Sequence, residues 1–377
     1  DMAAASPTAA DAVARLYQEL MQGRAANALL AEQLAGDDTA GNAGSVMAVD
    51  EVRDFITAQN NYFAALDEEA ETLNRTIMTD HDEPYLALRD RLEQEHKVKT
   101  RIAPVEVMDN TLRRYDRHRQ TIFLSELLDQ PGRSFQLAYQ LAYFEPMPTI
   151  DDIIVASGIE SEETRTLARI SLANYFAAAV LMPYARFLKE AEGSKYDIDL
   201  LCHRFGTSFE QTAHRLTTLQ KPDARGIPFF FVRIDVAGNV SKRFSAGRFH
   251  FSQFGGACPL WNIHESFQTP GKTVTQMIQL PDETTYFSIA KMVSRSDGTY
   301  NAPAQKLALG NRVHDSVLHR DKVRTLVRRS VHRLPHANPA HHTAHAKDVG
   351  IVALCDALHT KYSLERVMVQ WNARLFH

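Results

Sequence analysis

Apolar side chains recur every three to four residues through most of the first 220 positions, the signature of amphipathic helices. Residues 10–34 set Val13, Leu16, Leu20 and Met21 on one helical face. The stretch AGDDTAGNAGS follows, rich in Gly and Asp, and reads as a linker. Asp50 then stands as an N-cap, and one long helix is expected from it to about Leu73, with Phe55, Tyr62, Phe63 and Leu66 on its apolar side. A further helix is expected from Pro84 to about Glu95. KVKTRI, TLRRYD and TIFLSELL read as short strands, with RHRQ as the turn between the last two. Helical spacing returns in SFQLAYQLAYFE (134–145) and in EETRTLARISLANYFAAAVLMP, which Pro183 terminates. DIDLLCHRFGTSFEQTAHRLTTL reads as helix, tight turn at Gly206, helix.

The pattern changes after Pro222. GIPFFFVRIDVAGNVSKRFSAGRFHFS reads as two strands around 237–239, and KTVTQMIQLPDETTYFSIAKMVSR as two more around 281–282. The expected class is α+β: a helical unit with a short sheet over 46–195, then a small β-rich unit over 196–310. Residues 1–45 form a helical linker region and 311–377 a divergent, His-rich tail. No repeat of solenoid length occurs.

Composition changes this picture little. The 377 residues are 44% apolar and 23% charged, as in an ordinary globular protein, and the net charge of -4 advertises no nucleic-acid partner. Three widely spaced cysteines, Cys202, Cys258 and Cys355, argue against a disulfide framework and for a reducing cytoplasm. No apolar run approaches membrane-spanning length, and the start lacks the form of a signal peptide. The chain opens on Asp rather than Met, so residues upstream of it are expected. Nine of the sixteen histidines fall between His314 and His377, a composition that reads as solvated tail or as metal-binding tract.

The candidate chemistry centres on residues 134–145. Many metallopeptidases carry His-Glu-x-x-His on such a helix, because two imidazoles one turn apart face one zinc ion and the Glu serves as base. Here the same positions are Tyr139, Gln140 and Tyr143. A phenol with a pKa near 10 is a poor zinc ligand at neutral pH, and an amide takes no proton from water.

FQLAYQLAYFE, then LANYFAAAVLMP, then GIPFFFVRIDVAGNVSKRFSAGRFHFSQFGGACPLWNIHESFQTPGK together resemble the short-chain fatty acyl-CoA-responsive transcriptional regulators. The resemblance covers roughly 46–310, and FGGACPLWN is its most specific part. It implies a peptidase-like domain followed by an acyl-CoA regulator domain. It implies too that HExxH of active relatives aligns with Tyr139 to Tyr143. Their third ligand, an acid, would fall near Ser171 and Leu172, just before Asn174-Tyr175-Phe176-Ala177. The expectation is therefore a non-enzymatic, metal-free sensor needing no cofactor, with a short-chain acyl-CoA such as propionyl-CoA as effector. DNA would be reached only through an upstream helix-turn-helix, with no membrane and as a homodimer. The family's C-terminal cysteine cluster has no counterpart here, which puts an iron–sulfur cluster in doubt.

Tyr62, Tyr139, Tyr143 and Tyr175 are the expected aromatic walls of the ligand site, around one pocket. Arg53, Arg89, Arg91, Arg113 and Arg114 are the candidate phosphate anchors. The tyrosines read equally as core aromatics, and the arginines as solvated surface. Cys258 and Trp261 read as parts of a structural loop. LCHRFGTSFEQTAHRL has a helix-turn-helix pattern, but His214 and Arg215 are few bases for a groove reader, which favours packing. Two other readings stand beside the regulator. One is a zinc peptidase of the anti-repressor type using His203, His214 or tail histidines. The other is a dimerisation module built from residues 10–34 and 50–73.

Overall fold

The computed structural model describes residues 45–108, 111–236, 240–245, 262–279, 285–295 and 305–314. The expected helix at 10–34, Cys258, Trp261 and the His-rich tail beyond His314 lie outside these residues.

Helix α1 (Ser45–Ala58) and helix α2 (Ala64–Ile77) replace the single expected helix from Asp50 to Leu73. Asn60 and Asn61 break it: both are left-handed, with φ of 52° and 56°. Asparagine tolerates that region better than other residues with a side chain, so two in succession turn the chain sharply. Asp50 therefore sits inside α1, paired with Arg53, rather than capping a helix. Tyr62 lies in the connection, not on a helix.

Helix α3 (Pro84–His96) leads into a three-stranded sheet of β1 (Lys99–Ala103), β2 (Arg113–Asp116) and β3 (Thr121–Ser125), with the short helix α4 (Val105–Met108) between the first two. The strand order is β1-β3-β2, with β1 parallel and β2 antiparallel to β3. Helix α5 (Gln130–Leu141) is started by Asp129, whose carboxylate accepts the Gly132 N–H at 2.8 Å. Helix α6 (Met147–Ala156) was not expected from the pattern; Pro148 sits in its first turn, where a missing N–H costs nothing. Helix α7 (Glu162–Leu181) is the central element, and its C-terminal half, Leu172 to Leu181, is buried except at Asn174. Leu66, Ala70, Leu88, Leu137, Leu141 and Leu172 pack in this core, each inaccessible. Burial of each leucine stabilises by about 1.5–3 kcal/mol.

After Pro183 the chain forms α8 (Tyr184–Gly193), also unforeseen because the pattern was read as ending at that proline. Helices α9 (Ile198–Phe205) and α10 (Phe209–Leu216) follow as expected. Gly206 closes α9 at φ 62°, a conformation that needs glycine, and Ser208 opens α10 in a capping box with Gln211.

The second sheet has five antiparallel strands in the order β5-β4-β8-β7-β6. They are β4 (Phe230–Asp235), β5 (Val240–Ser245), β6 (Thr273–Gln279), β7 (Thr285–Arg295) and β8 (Gln305–His314). The two expected hairpins are β4–β5 and β6–β7; the unforeseen β8 runs between them and joins them into one sheet. Helix α11 (Asn262–Glu265) precedes β6. Phe229, Phe287 and Ile289 share a core with Phe187, Leu201, Phe205 and Leu216, so the α8–α10 helices sit directly against the sheet. The α+β class thus holds.

One buried polar network ties the helices together. Arg215 on α10 is inaccessible and donates to Asp67 of α2 at 2.5 Å, to Met182 O at 3.1 Å and to Thr218 Oγ1 at 2.9 Å. Tyr175 on α7 donates to the other Asp67 oxygen at 2.5 Å and accepts the Phe63 N–H at 3.2 Å. Burial and Asp67 hold the Tyr175 hydroxyl well above its usual pKa, so it stays a donor. Burial opposes the charge of Arg215, but Asp67 and the hydrogen bonds outweigh it and raise its pKa. Replacing Arg215 by Met should lower the unfolding free energy by about 3–5 kcal/mol, because Asp67 is left buried and unpaired. Adding Asp67→Leu should recover part of it. Urea denaturation measures both; a loss below about 1 kcal/mol for Arg215→Met contradicts this role.

Candidate site: a peptidase-like helix face

Tyr139 lies on the last turn of α5, and Tyr143 lies just past its end. Spaced by four residues, they meet: the hydroxyls are 2.8 Å apart and the rings cross edge-on at 5.4 Å. Tyr139 is 8% exposed and Tyr143 is 36% exposed, so the pair runs from core to surface. Arg113 reaches this face from β2 and is itself buried. Its guanidinium carbon stands 4.7 Å from the centre of the Tyr139 ring, a cation–π distance. It donates through Nε to Gln136 Oε1 at 3.2 Å and through a terminal nitrogen to Gln140 Oε1. Gln140 is thus an acceptor for a fixed cation, and as an amide it offers no base for water activation.

The other candidate arginines are placed differently. Arg53 pairs with Asp50 on its own helix. Arg89 pairs with Asp90 at 2.8 Å. Arg91 binds Glu145 at 2.8 Å and approaches Glu95 at 3.6 Å; the Glu145 hydrogen bond raises its pKa. Glu145 also holds His96 at 3.0 Å, and His96 stacks on Phe144 at 4.9 Å, so Arg91 is brought to the end of α5. Arg114 is exposed and lies over Phe123 at 5.4 Å.

Tyr62 and Tyr175 belong to the Asp67–Arg215 region. The Tyr62 ring meets Tyr184 edge-on at 5.6 Å, and burial followed by Asp67 pushes its pKa up to about 12. Arg215 stands 5.6 Å from the Tyr175 ring centre and 5.8 Å from that of Tyr184. The described contacts therefore sort the candidate aromatics into two clusters, Tyr139 with Tyr143 and Arg113, and Tyr62 with Tyr184 near Tyr175. Tyr139 and Tyr175 belong to one core and Tyr184, with Tyr62 against it, to the adjoining one; Phe135 packs against both. Sequence reasoning overlooked Asp67; the signal was a carboxylate beside Leu66 on the apolar face of its helix.

The second helix of the helix-turn-helix-like segment presents neither of its bases for reading DNA. Arg215 is inaccessible, and His214 packs against Phe244 at 4.1 Å and Phe231 at 6.0 Å. Glu210 of the same helix binds Arg233 at 3.0 Å and Lys242 at 3.2 Å, and Asp199 of α9 binds Lys291 at 2.6 Å, which docks the pair on the sheet. Cys202 donates to Thr212 at 3.3 Å, and burial pushes its thiol up to about 11, so it is no nucleophile at neutral pH. Among the described residues no three His, Cys, Asp or Glu gather where they could hold a metal ion.

Burial and Lys242 lower the His214 pKa to about 3. An unfolded histidine titrates near 6.5, so the unfolded state takes up the extra proton between those values. Stability from this residue is therefore complete above about pH 6.5 and falls as the pH drops toward 3. Between pH 7 and 5 the loss should reach up to about 2 kcal/mol, and His214→Phe should remove it. Urea midpoints at the two pH values test this; equal acid sensitivity in the variant contradicts it.

Comparison with known proteins came out as follows. Residues 93–217 match the IrrE N-terminal-like domain, a peptidase family, and residues 218–320 match the short-chain fatty acyl coenzyme A regulator, C-terminal. The chain is 40% identical over 310 residues to the HTH-type transcriptional regulator RamB of Mycobacterium tuberculosis, covering 82% of this chain and 65% of RamB. It is 40% identical to the propionyl-CoA carboxylase regulator of Cereibacter sphaeroides over 69% of this chain and 55% of that protein. To the M. tuberculosis regulator PrpR it is 42% identical over 70% of this chain and 54% of PrpR. The chain thus spans less than two thirds of these relatives. A solved M. tuberculosis transcriptional regulator superposes with a TM-score of 0.69 at 40% identity, over 72% of this chain and 82% of that one.

Proposed function

The chain belongs to the short-chain fatty acyl-CoA regulators, and from that premise we propose that it is the effector-sensing part of a transcription regulator, responding to a short acyl-CoA such as propionyl-CoA. The observation that carries this is the match of 218–320 to the acyl-CoA regulator domain directly after a peptidase-like domain at 93–217. The geometry of α5 supports a non-catalytic role for the latter. Where a metallopeptidase needs two imidazoles and a base, this chain has two phenols and an amide, with a guanidinium already seated among them. Tyr139 and Tyr143, partly open to the surface, offer an apolar wall with hydroxyl anchors for a short acyl chain. Arg114, exposed on β2, supplies positive charge for phosphates, whereas Arg53, Arg89 and Arg91 pair with Asp50, Asp90 and Glu145.

An effector changes gene expression only if it binds two states of the regulator unequally. The state it biases is the placement of a DNA-binding unit outside residues 45–314. The sensor works as a homodimer in the cytoplasm, matching the two-fold symmetry of most operators, and needs neither zinc nor an iron–sulfur cluster.

Titration calorimetry with propionyl-CoA tests this reading. Saturable binding is expected, and Tyr139→Ala should weaken it by about 1–3 kcal/mol, the scale of a lost aromatic contact with its hydrogen bond. No saturable binding of any short acyl-CoA refutes the sensor. Unchanged affinity in a folded Tyr139→Ala protein moves the acyl site away from α5.

A further inference from the structure

The three-stranded sheet turns one face to the core and the other to solvent. Ile122 and Leu124 of β3 are inaccessible and belong to the main core. Phe123 lies between them and points the opposite way, because successive side chains of a strand alternate. Its register partners are Arg101 on β1 and Arg114 on β2, so the three form one row across the outer face. Both arginines are exposed, and so is Lys99, two residues before Arg101 on the same face. The Arg114 guanidinium lies over the Phe123 ring, 5.4 Å from its centre.

The turn between β2 and β3 continues the charge, with Arg117, His118 and Arg119 all exposed. Its shape is held by its own hydrogen bonds. The Asp116 carboxylate accepts the N–H groups of His118 and Arg119 at 3.0 Å each, and Gln120 Nε2 donates to Arg117 O at 2.8 Å. The Lys99 N–H donates to Gln120 O at 2.9 Å, which sets the turn beside the start of β1. Lys99, Arg101, Arg114 and Arg117 take part in no ion pair among the described residues; Arg119 approaches Asp116 at 3.8 Å. Between residues 97 and 120 the sequence carries seven Lys and Arg against three acids, in a chain whose net charge is -4. The whole-chain charge therefore conceals a concentrated basic face.

Clustered like charges repel, and a polyanion relieves that repulsion. In a chain of a transcription-regulator family the polyanion at hand is DNA. Arg114 already covers Phe123, which leaves that ring closed to a splayed base and favours a duplex backbone over a single strand. We propose that the outer face of this sheet, with the β2–β3 turn, docks on the phosphate backbone of duplex DNA without reading its sequence. Lys99, Arg101, Arg117 and Arg119 meet the phosphates, and the rigid turn fixes the angle of approach. The sensor unit thereby adds its own contacts to those of the DNA-binding unit and sets its orientation on the duplex. This does not depend on the acyl-CoA reading.

The test titrates the full chain with a labelled duplex of about 30 base pairs and arbitrary sequence, between about 50 and 200 mM salt. The logarithm of affinity should fall linearly with the logarithm of salt concentration, by about 0.9 in slope for each phosphate met. Lys99→Gln with Arg101→Gln and Arg117→Gln should reduce that slope by about three and weaken binding at about 50 mM salt tenfold or more. Its affinity for propionyl-CoA should equal the parent's. Lys189→Gln with Lys221→Gln and Lys272→Gln removes the same charge from exposed positions elsewhere and should leave the slope unchanged. No salt-dependent duplex binding by the parent overturns the proposal. So does a parent-like slope in the first variant, or an equal loss in the second, since binding then follows net charge. Weakened propionyl-CoA in the first variant also overturns it, by giving these cations to the effector's phosphates. The same holds if that variant loses binding to phosphatidylserine vesicles and keeps the duplex, which makes the face a lipid-binding one. Failure of the parent to bind propionyl-CoA refutes the sensor and leaves this face untouched.

Discussion

The buried contact between Asp67 and Arg215 is the constraint on which the helical arrangement depends. It joins α2 to α10, residues far apart in sequence, at 2.5 Å and out of reach of solvent. A charge in that position is tolerated only when its partner and its remaining hydrogen bonds are all in place. Tyr175 fills the second oxygen of Asp67, and Met182 O and Thr218 fill the guanidinium. The pair therefore fixes α2, α7 and α10 relative to one another more sharply than apolar packing alone, which tolerates repacking. Because α10 also rests on the sheet through Glu210, the same network registers the helical unit against the β-rich one.

A similar logic governs α5. Its scaffold places residues 139, 140 and 143 where a peptidase would gather a metal, yet the groups there are neutral and the cation is a guanidinium delivered by β2. A planar guanidinium suits this position: it donates to two glutamines while stacking on a tyrosine, which a compact ammonium does not combine. The peptidase-like architecture thus keeps its form with an amide, two phenols and a guanidinium at these positions.

Much of this was legible in the sequence. Long periodic segments such as 162–181 and the paired strands 230–245 and 273–295 stand where the pattern put them, because burial of one face dictates period. The quoted motifs carried the family. What the pattern concealed has identifiable causes. The break at Asn60–Asn61 is a backbone event, and the apolar residues on both sides keep helical spacing across it. Helix α8 follows a proline that was read only as a stop, although proline is also a good beginning. Strand β8 pairs with β4 and β7 over long sequence separations that no local signal reports. Packing was the favoured reading of the segment that carries Arg215, but the partner that makes a buried cation tenable lies 148 residues away, where no local signal reports it.

The central claim is that a peptidase-like scaffold senses a thioester without a metal. The direct measurement is the affinity for propionyl-CoA of the full chain, before and after exhaustive dialysis against a chelator, with metal content determined on the same samples. Equal affinities at less than about 0.1 zinc per chain are predicted, since two phenols and an amide are poor ligands for zinc at neutral pH. Binding that disappears on chelation and returns with stoichiometric zinc would contradict the account.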